Sequence, residues 1–274
     1  MLTKPIPSTG EELPIIGLGT YRSFNILSDQ SNKQLGQVLK LFFKSGGTLI
    51  DSSPMYENSE TIIGQLLKYQ DLSSKSFLAT KVWTNGKKNG SKEMNQSIAN
   101  MGRKKLELMQ VHNLIDAENH LDTLKEWRKT GKIKYIGITH YTDNAFDELG
   151  SYLKKYPEID FCQFPYSIIS RKAEKYFLEL CYDLNVATLI NRPFEQNKLF
   201  RVVQNKTLPD WAEELGCSTW AQYFLKYILG HRAVTCAIPA TSKPEHMLNN
   251  LAAGNGRLPD HKELKKMASY FDSL

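Results

Sequence analysis

Apolar residues along this chain follow two rhythms that take turns: short unbroken runs, and longer stretches in which they recur three and four positions apart. Leu35, Val38, Leu39, Phe42 and Phe43 carry the second rhythm and predict a helix with one apolar face, closed by Gly46-Gly47. Residues 48–51 carry the first and predict a buried strand end, broken by Ser53-Pro54 before a helix that starts near Ser59 and runs through Ile62, Ile63, Leu66 and Leu67. The pair then recurs. Residues 77–81 precede a helical face of Met94, Ile98 and Met101, Leu106–His112 precedes one over 121–129, and Ile133–Thr139 precedes Phe146, Leu149 and Leu153. Residues 161–164 lead into Ala173, Tyr176, Phe177, Leu180, Cys181 and Leu184, the cleanest helical face in the chain. Ala187–Asn191 leads to a helix with Trp220, Phe224, Leu225 and Ile228, and residues 234–238 to one over 247–253. With residues 15–18 as a first strand, ended by Gly19-Thr20, the chain holds eight strand–helix units.

Strands that are apolar throughout need cover on both faces, which implies parallel pairing with helices outside. Eight such units predict an α/β fold, a closed (β/α)8 TIM barrel, as a single domain over residues 1–274. An open doubly wound sheet holding a dinucleotide would call for GxGxxG after its first strand, and Gly17-Leu18-Gly19-Thr20-Tyr21-Arg22 lacks the third glycine. Pro5, Pro7, Gly10 and Pro14 predict an N-terminal hairpin, and Met267, Tyr270 and Phe271 within 257–274 predict an extra C-terminal helix over the barrel.

Composition adds few constraints. With 41% hydrophobic and 23% charged residues the chain has ordinary globular composition. The net charge of +6 is scattered among helix-end clusters such as Lys87-Lys88 and Arg103-Lys104-Lys105, so no nucleic-acid stripe is expected, although a small anionic ligand would be drawn in. The four cysteines show no metal or CxxC spacing; Cys162, Cys181 and Cys236 read as small core residues of a protein in a reducing compartment. No run of 18 apolar residues occurs and the N-terminus carries no leader pattern, so the expectation is a cytoplasmic protein without membrane or metal, a monomer in preference to an oligomer.

In a parallel barrel the carboxyl ends of the strands form the reactive face. Asp51 and Tyr56 follow the second strand, Lys81 ends the third and His112 ends the fourth. A phenol with a pKa near 10 is a poor acid at neutral pH unless a cation stabilises its phenolate. Lys81 can do that, Asp51 can hold the lysine charged, His112 can hydrogen-bond a substrate carbonyl, and Tyr56 can protonate its oxygen as a hydride arrives at carbon. A lyase using Lys81 as a Schiff-base amine is a second enzyme reading, and it needs a lysine of lowered pKa.

These residues sit in recognisable strings: Gly-Leu-Gly-Thr at 17–20, Ile-Asp-Ser-Ser-Pro-Met-Tyr at 50–56 and Ala-Thr-Lys-Val-Trp at 79–83. Through them the chain resembles the aldo-keto reductase superfamily over nearly its whole length, with Asp51, Tyr56, Lys81 and His112 matching the family's tetrad. The resemblance implies a barrel that binds NADPH without a Rossmann fold, with NADH as the other candidate, and reversible hydride transfer to a small carbonyl substrate. It also implies cofactor positions. Gly19, Thr20 and Asp51 fall near the nicotinamide ribose, and Thr139, His140 and Gln163 near the nicotinamide amide. Asn191, Arg192 and Phe194 take the stacking and pyrophosphate positions. Ile238, Ala240, Thr241, Ser242, Lys243, His246, Asn249 and Asn250 form the adenosine-phosphate loop and its helix. Tyr21, Trp83 and Asn113 line the substrate pocket by the same analogy.

The departures from the family pattern matter as well. Asn191 replaces an aromatic that stacks on the nicotinamide, while Arg192 adds a cation for a pyrophosphate or an acidic substrate. Ala240 and His246 stand where lysine and arginine are common, which leaves Lys243 to meet a 2′-phosphate. These changes keep open an alternative from another class, a cofactor-binding regulatory subunit with weak catalysis. Glu57, where glycine is frequent, narrows or charges the mouth.

Overall fold

Each apolar run of the sequence becomes, or borders, a parallel strand of one sheet. The computed structural model describes residues 1–25 and 28–274. A hairpin of β1 (Thr3–Pro5) and β2 (Glu12–Pro14) precedes the sheet strands β3 (Leu18–Gly19), β4 (Leu49–Asp51), β5 (Phe77–Val82), β6 (Leu106–His112), β7 (Ile133–Thr139), β8 (Phe161–Pro165), β9 (Ala187–Asn191) and β10 (Cys236–Ala237). Neighbours in sequence are neighbours in the sheet, from β3 to β10, and all pairs are parallel. Parallel bridges Ile16–Ala237 and Gly19–Ala240 join the first strand to the last and close the ring. The result is the expected (β/α)8 barrel.

Around it run α1 (Asp29–Lys44), α2 (Ser59–Tyr69), α3 (Lys87–Asn100), α4 (Ala117–Lys129), α5 (Phe146–Lys155), α6 (Phe177–Asp183), α7 (Lys198–Val202), α8 (Trp220–Gly230), α9 (Pro244–Ala252) and α10 (His261–Asp272). The stops are local chemistry: α1 ends at Gly46, whose φ of +88° suits glycine, and α10 starts with a capping box between Asp260 and Glu263. Met267 and Phe271 of α10 are buried, as expected for a helix laid over the barrel.

Two expectations shift. The first strand lies at 18–19 and not 15–18, because residues 15–17 meet Ala237 only through an isolated bridge, in which the Ile15 carbonyl accepts from the Ala237 N–H and the Gly17 N–H donates back to the Ala237 carbonyl. The face over 173–184 is not one helix. A 3-10 turn, Lys172–Lys175, passes into α6 through Tyr176 at φ −163°, an extended residue whose hydroxyl donates to Asp147. Ala173, Phe177 and Cys181 stay buried across the break, so the apolar spacing reported the buried side and not the helix continuity. All four cysteines are free and buried. Among the described residues no helix is long and apolar enough to cross a membrane, and no cluster of potential metal ligands occurs.

Two layers of apolar side chains hold this together. One fills the space between strands and helices. The other lies inside the ring, where Leu49, Ala79, Leu108, Tyr135, Phe161, Leu189 and others meet Ile6 and Leu13 of the hairpin. The hairpin therefore plugs the amino end of the barrel.

Candidate active site

Side chains alternate inward and outward along a strand, so the site follows from the interior layer by counting in twos. Leu49 is followed on the inner face by Asp51, Ala79 by Lys81, Leu108 by Gln110 and then His112, Phe161 by Gln163, and Leu189 by Asn191. The inner face turns from apolar to polar at the carboxyl end of the strands. Every one of these polar residues is buried except Asn191, which is partly exposed.

Lys81 is wholly buried, and its Nζ donates to Asp51 Oδ2 at 2.7 Å and to the Ser52 carbonyl at 2.6 Å. Burial alone would lower its pKa, but the Asp51 carboxylate, helped by Tyr56, outweighs burial and holds the ammonium above its ordinary value. A lysine kept charged in this way opposes Schiff-base chemistry. The same Nζ lies 5.1 Å from the Tyr56 ring centroid. Burial raises the Tyr56 phenol, Lys81 pulls it down, Asp51 pushes it up, and the net direction is upward. The pull of Lys81 on this phenol is in the expected direction and is smaller than the effect of desolvation.

His112 also meets Tyr56, ring centroid to ring centroid at 6.1 Å and nearly perpendicular. Its Nδ1 is paired with Ser53 Oγ at 3.1 Å, which leaves Nε2 as the nitrogen able to reach a ligand. Burial, then Lys81 and His140, push its pKa down to about 2, so the ring is neutral. Tyr21 tilts against Tyr56 at 5.0 Å and Trp83 against His112 at 6.2 Å. Both are about two-fifths exposed, an aromatic rim around the acid. Asn113, at φ +53°, has a buried Oδ1 without a hydrogen-bond partner among the described residues. Glu57, also left-handed at φ +51°, accepts from Asn25 Nδ2 at 3.1 Å and ties the loop after β3 to the loop after β4.

The residues assigned to the cofactor divide into three groups. The first is engaged in holding the site. Thr20 is wholly buried and donates to the Asp51 carbonyl and Ser52 Oγ, both at 3.0 Å. Gly19 lies in the barrel seam, where a Cβ would stand 2.7 Å from the Ile238 carbonyl oxygen. Gln163 donates to Asp51 Oδ1 at 2.9 Å and accepts from Thr139 at 3.3 Å. Asn249 Oδ1 accepts from Thr219 and Gln222 of the α8 region, while Asn250 is buried.

The second group carries unmet polar atoms. Asn191 Nδ2 donates to the His140 carbonyl at 3.2 Å, but its Oδ1 is buried and unpaired among the described residues. Arg192 Nε is likewise buried and unpaired. Its NH2 donates to Glu195 at 3.3 Å, so the cation the sequence offers to a pyrophosphate or an acidic substrate has a carboxylate beside it. Orphaned polar atoms at the strand ends suit a polar ligand such as a nicotinamide amide. Phe194 packs on Phe200 beside them.

The third group lies at the far end. Ile238 and Thr241 are buried, whereas Ala240, Lys243 and His246 are exposed. The Thr241 hydroxyl accepts from the Lys243 N–H at 3.1 Å, and the Ser242 carbonyl accepts from Gln34 at 2.7 Å. A cavity of about 640 Å³ opens here between α1 and α9, lined by Gln30, Lys33, Gln34, Gln37, Lys243, Pro244 and Glu245. Lys33 was not singled out by the sequence pattern, because a lysine on the polar face of α1 looks like any solvated charge. Ser52, Ser53 and Gln110 also escaped it. For Gln110 a signal exists: an amide in an otherwise apolar strand, two residues before His112, needs a buried partner.

The model of the Aldo/keto reductase family matches residues 15–269. The aldo-keto reductase YhdN of Bacillus subtilis is 26% identical over 201 residues, a match covering 68% of this chain and 60% of YhdN. The glyoxal reductase of the same organism is 25% identical over 247 residues, covering 88% of this chain and 83% of that protein. Among solved structures, an aldo-keto reductase from Klebsiella pneumoniae in complex with NADPH superposes with a TM-score of 0.84 at 23% identity, covering 99% of this chain and 96% of the other.

Proposed function

The chain belongs to the aldo/keto reductase family, and on that premise we propose that it is a nicotinamide-dependent reductase of aldehydes or ketones. When bound, the reduced nicotinamide supplies a hydride. The protein supplies the rest of the chemistry. Tyr56, kept neutral by burial, donates its proton to the carbonyl oxygen, and His112 offers Nε2 to the same oxygen and orients it. Lys81 stands by to stabilise the phenolate that forms, and Asp51 keeps Lys81 charged and in place. Asn191, Thr139, His140 and Gln163 would meet the nicotinamide end and Arg192 the pyrophosphate, while Lys243 with Thr241, Ser242 and Lys33 would meet a 2′-phosphate. NADPH is the preferred cofactor on that basis, with NADH the competitor because Ala240 and His246 offer no fixed cation. The substrate is a small carbonyl compound, for which the name of the glyoxal reductase relative recommends small aldehydes as first candidates. Residues 1–274 act as one barrel unit.

The observation that carries this reading is the buried Lys81–Asp51 pair at 2.7 Å, with its ammonium 5.1 Å from the Tyr56 ring centroid and the His112 ring 6.1 Å from it and nearly perpendicular. The test is a fluorescence titration with NADPH and NADH followed by a panel of aldehydes and ketones. Tyr56→Phe should abolish turnover and leave cofactor affinity nearly unchanged. Absence of nicotinamide binding to the intact protein would sink the proposal. Tight binding without turnover across the panel would support the regulatory-subunit alternative.

A further inference from the structure

Asp51 accepts three side-chain hydrogen bonds, and only the one from Lys81 belongs to the acid–base pair. Oδ2 takes Lys81 at 2.7 Å, while Oδ1 takes Gln110 Nε2 at 3.0 Å and Gln163 Nε2 at 2.9 Å. A glutamine amide nitrogen carries two hydrogens. Gln163 uses both, the second on Gln110 Oε1 at 3.3 Å, and its own oxygen accepts from Thr139. To donate to any ligand, Gln163 must release Asp51 or Gln110. Gln110 is placed differently. It is wholly buried on β6, one inward position below His112, and lies in register with Lys81 on one side and Gly137 on the other. Gly137 keeps its space open, since a Cβ there would stand 2.8 Å from Gln110 Cγ.

We infer that Gln110 is a positioning residue, the donor that keeps the Asp51 carboxylate turned onto Lys81 whether or not Gln163 is drawn off to a ligand amide. The inference rests on the reductase reading of the site. Gln163 is then the shared member of the clamp and Gln110 the resident one. Asp51 is what holds the buried Lys81 ammonium above the ordinary lysine value, so a carboxylate that has lost its resident donor lets that proton go at lower pH.

Gln110→Met removes the donor and keeps most of the bulk. In Q110M the alkaline limb of kcat for carbonyl reduction is expected to move down by about one pH unit, with a fall in kcat of about tenfold. KM and NADPH affinity should stay within about twofold of wild type, because no ligand contact is removed. Gln163→Met should show the reverse split: weaker NADPH binding by fluorescence titration, with the alkaline limb in place. A Q110M protein that melts cooperatively but keeps the wild-type limb overturns the inference. So does a Q163M protein whose limb moves, and this arm decides the matter if Q110M does not fold. Failure of the wild type to bind NADPH is a different result, which removes the reductase reading. A crystal structure of Q110M then decides the clamp: an Asp51 carboxylate turned off Lys81 supports it, and the 2.7 Å contact retained overturns it.

Discussion

His112 sits where a charge would be out of place. Burial first, then the neighbouring Lys81 ammonium and His140, lower its pKa from 6.5 to about 2. In the unfolded chain the same ring takes up its proton near 6.5. Below that pH the unfolded state binds more protons than the folded one. The contribution of His112 to stability is therefore full above about pH 6.5 and declines by about 1.4 kcal/mol per pH unit as the pH falls towards its folded value. His112→Gln keeps a polar partner for Ser53 without the titration. Urea midpoints measured between pH 7 and pH 4 should fall less steeply in H112Q than in the wild type, and parallel slopes would show that the folded ring protonates freely. At this scale the four candidate catalytic residues are legible in the sequence, because each stands as a polar exception at or just beyond the end of an apolar run. Gln110 leaves a weaker signal, an amide inside such a run whose partner Asp51 the sequence does not name, and the pairing of Arg192 with Glu195 emerges only once the loop after β9 is folded.

At the scale of elements, the barrel is thinnest where it closes. β3 and β10 have two residues each, and the segments that carry them meet through two isolated bridges, Ile16–Ala237 and Gly19–Ala240. Little backbone pairing holds this seam, so close approach has to. A Cβ at Gly19 would stand 2.7 Å from the Ile238 carbonyl oxygen, a backbone atom that cannot swing aside. Gly19→Ala is expected to cost about 1–3 kcal/mol through overpacking. Because the next residue, Thr20, bonds the Asp51 carbonyl at 3.0 Å, the same change should lower kcat. Denaturant midpoints and initial rates check both, and an unchanged midpoint would mean that the seam yields. The glycine-rich string at 17–20 thus has a packing reason that needs no ligand. The sequence places the eight units correctly because burial dictates both rhythms. It misplaces the first strand by a few residues and runs one helix through Tyr176, because apolar spacing reports which side is buried and not where the backbone turns.

Over the whole molecule the two ends of the barrel do different work. The carboxyl end holds a buried ion pair, orphaned polar atoms and an aromatic rim, while the amino end is stoppered by the hairpin, with Ile6 and Leu13 against the interior layer. In such barrels the first end is the chemical one and the second serves stability. Lys4 is the hairpin's anchor. Its Nζ donates to the carbonyls of Leu229, His231 and Val234 at 3.1, 3.3 and 2.6 Å, where α8 ends and the chain turns towards β10. Carbonyls at a helix C-terminus have no partners of their own within the helix, and a cation there also meets the favourable end of the helix dipole. Lys4→Met keeps the apolar stem and removes all three bonds. The His231 carbonyl would still accept from the Val234 N–H, but leaving the part-buried Leu229 and Val234 carbonyls without Lys4 should cost about 1–3 kcal/mol, because the fold has already taken them from water. Nothing in the chain of contacts from Asp51 to Lys81, Gln110 and Gln163 passes through the hairpin, so the catalytic constants should not move. A lower urea midpoint for K4M, with kcat and KM at wild-type values, is the expected outcome. A fall in kcat at temperatures where K4M is fully folded would mean that the hairpin also sets the geometry of the mouth.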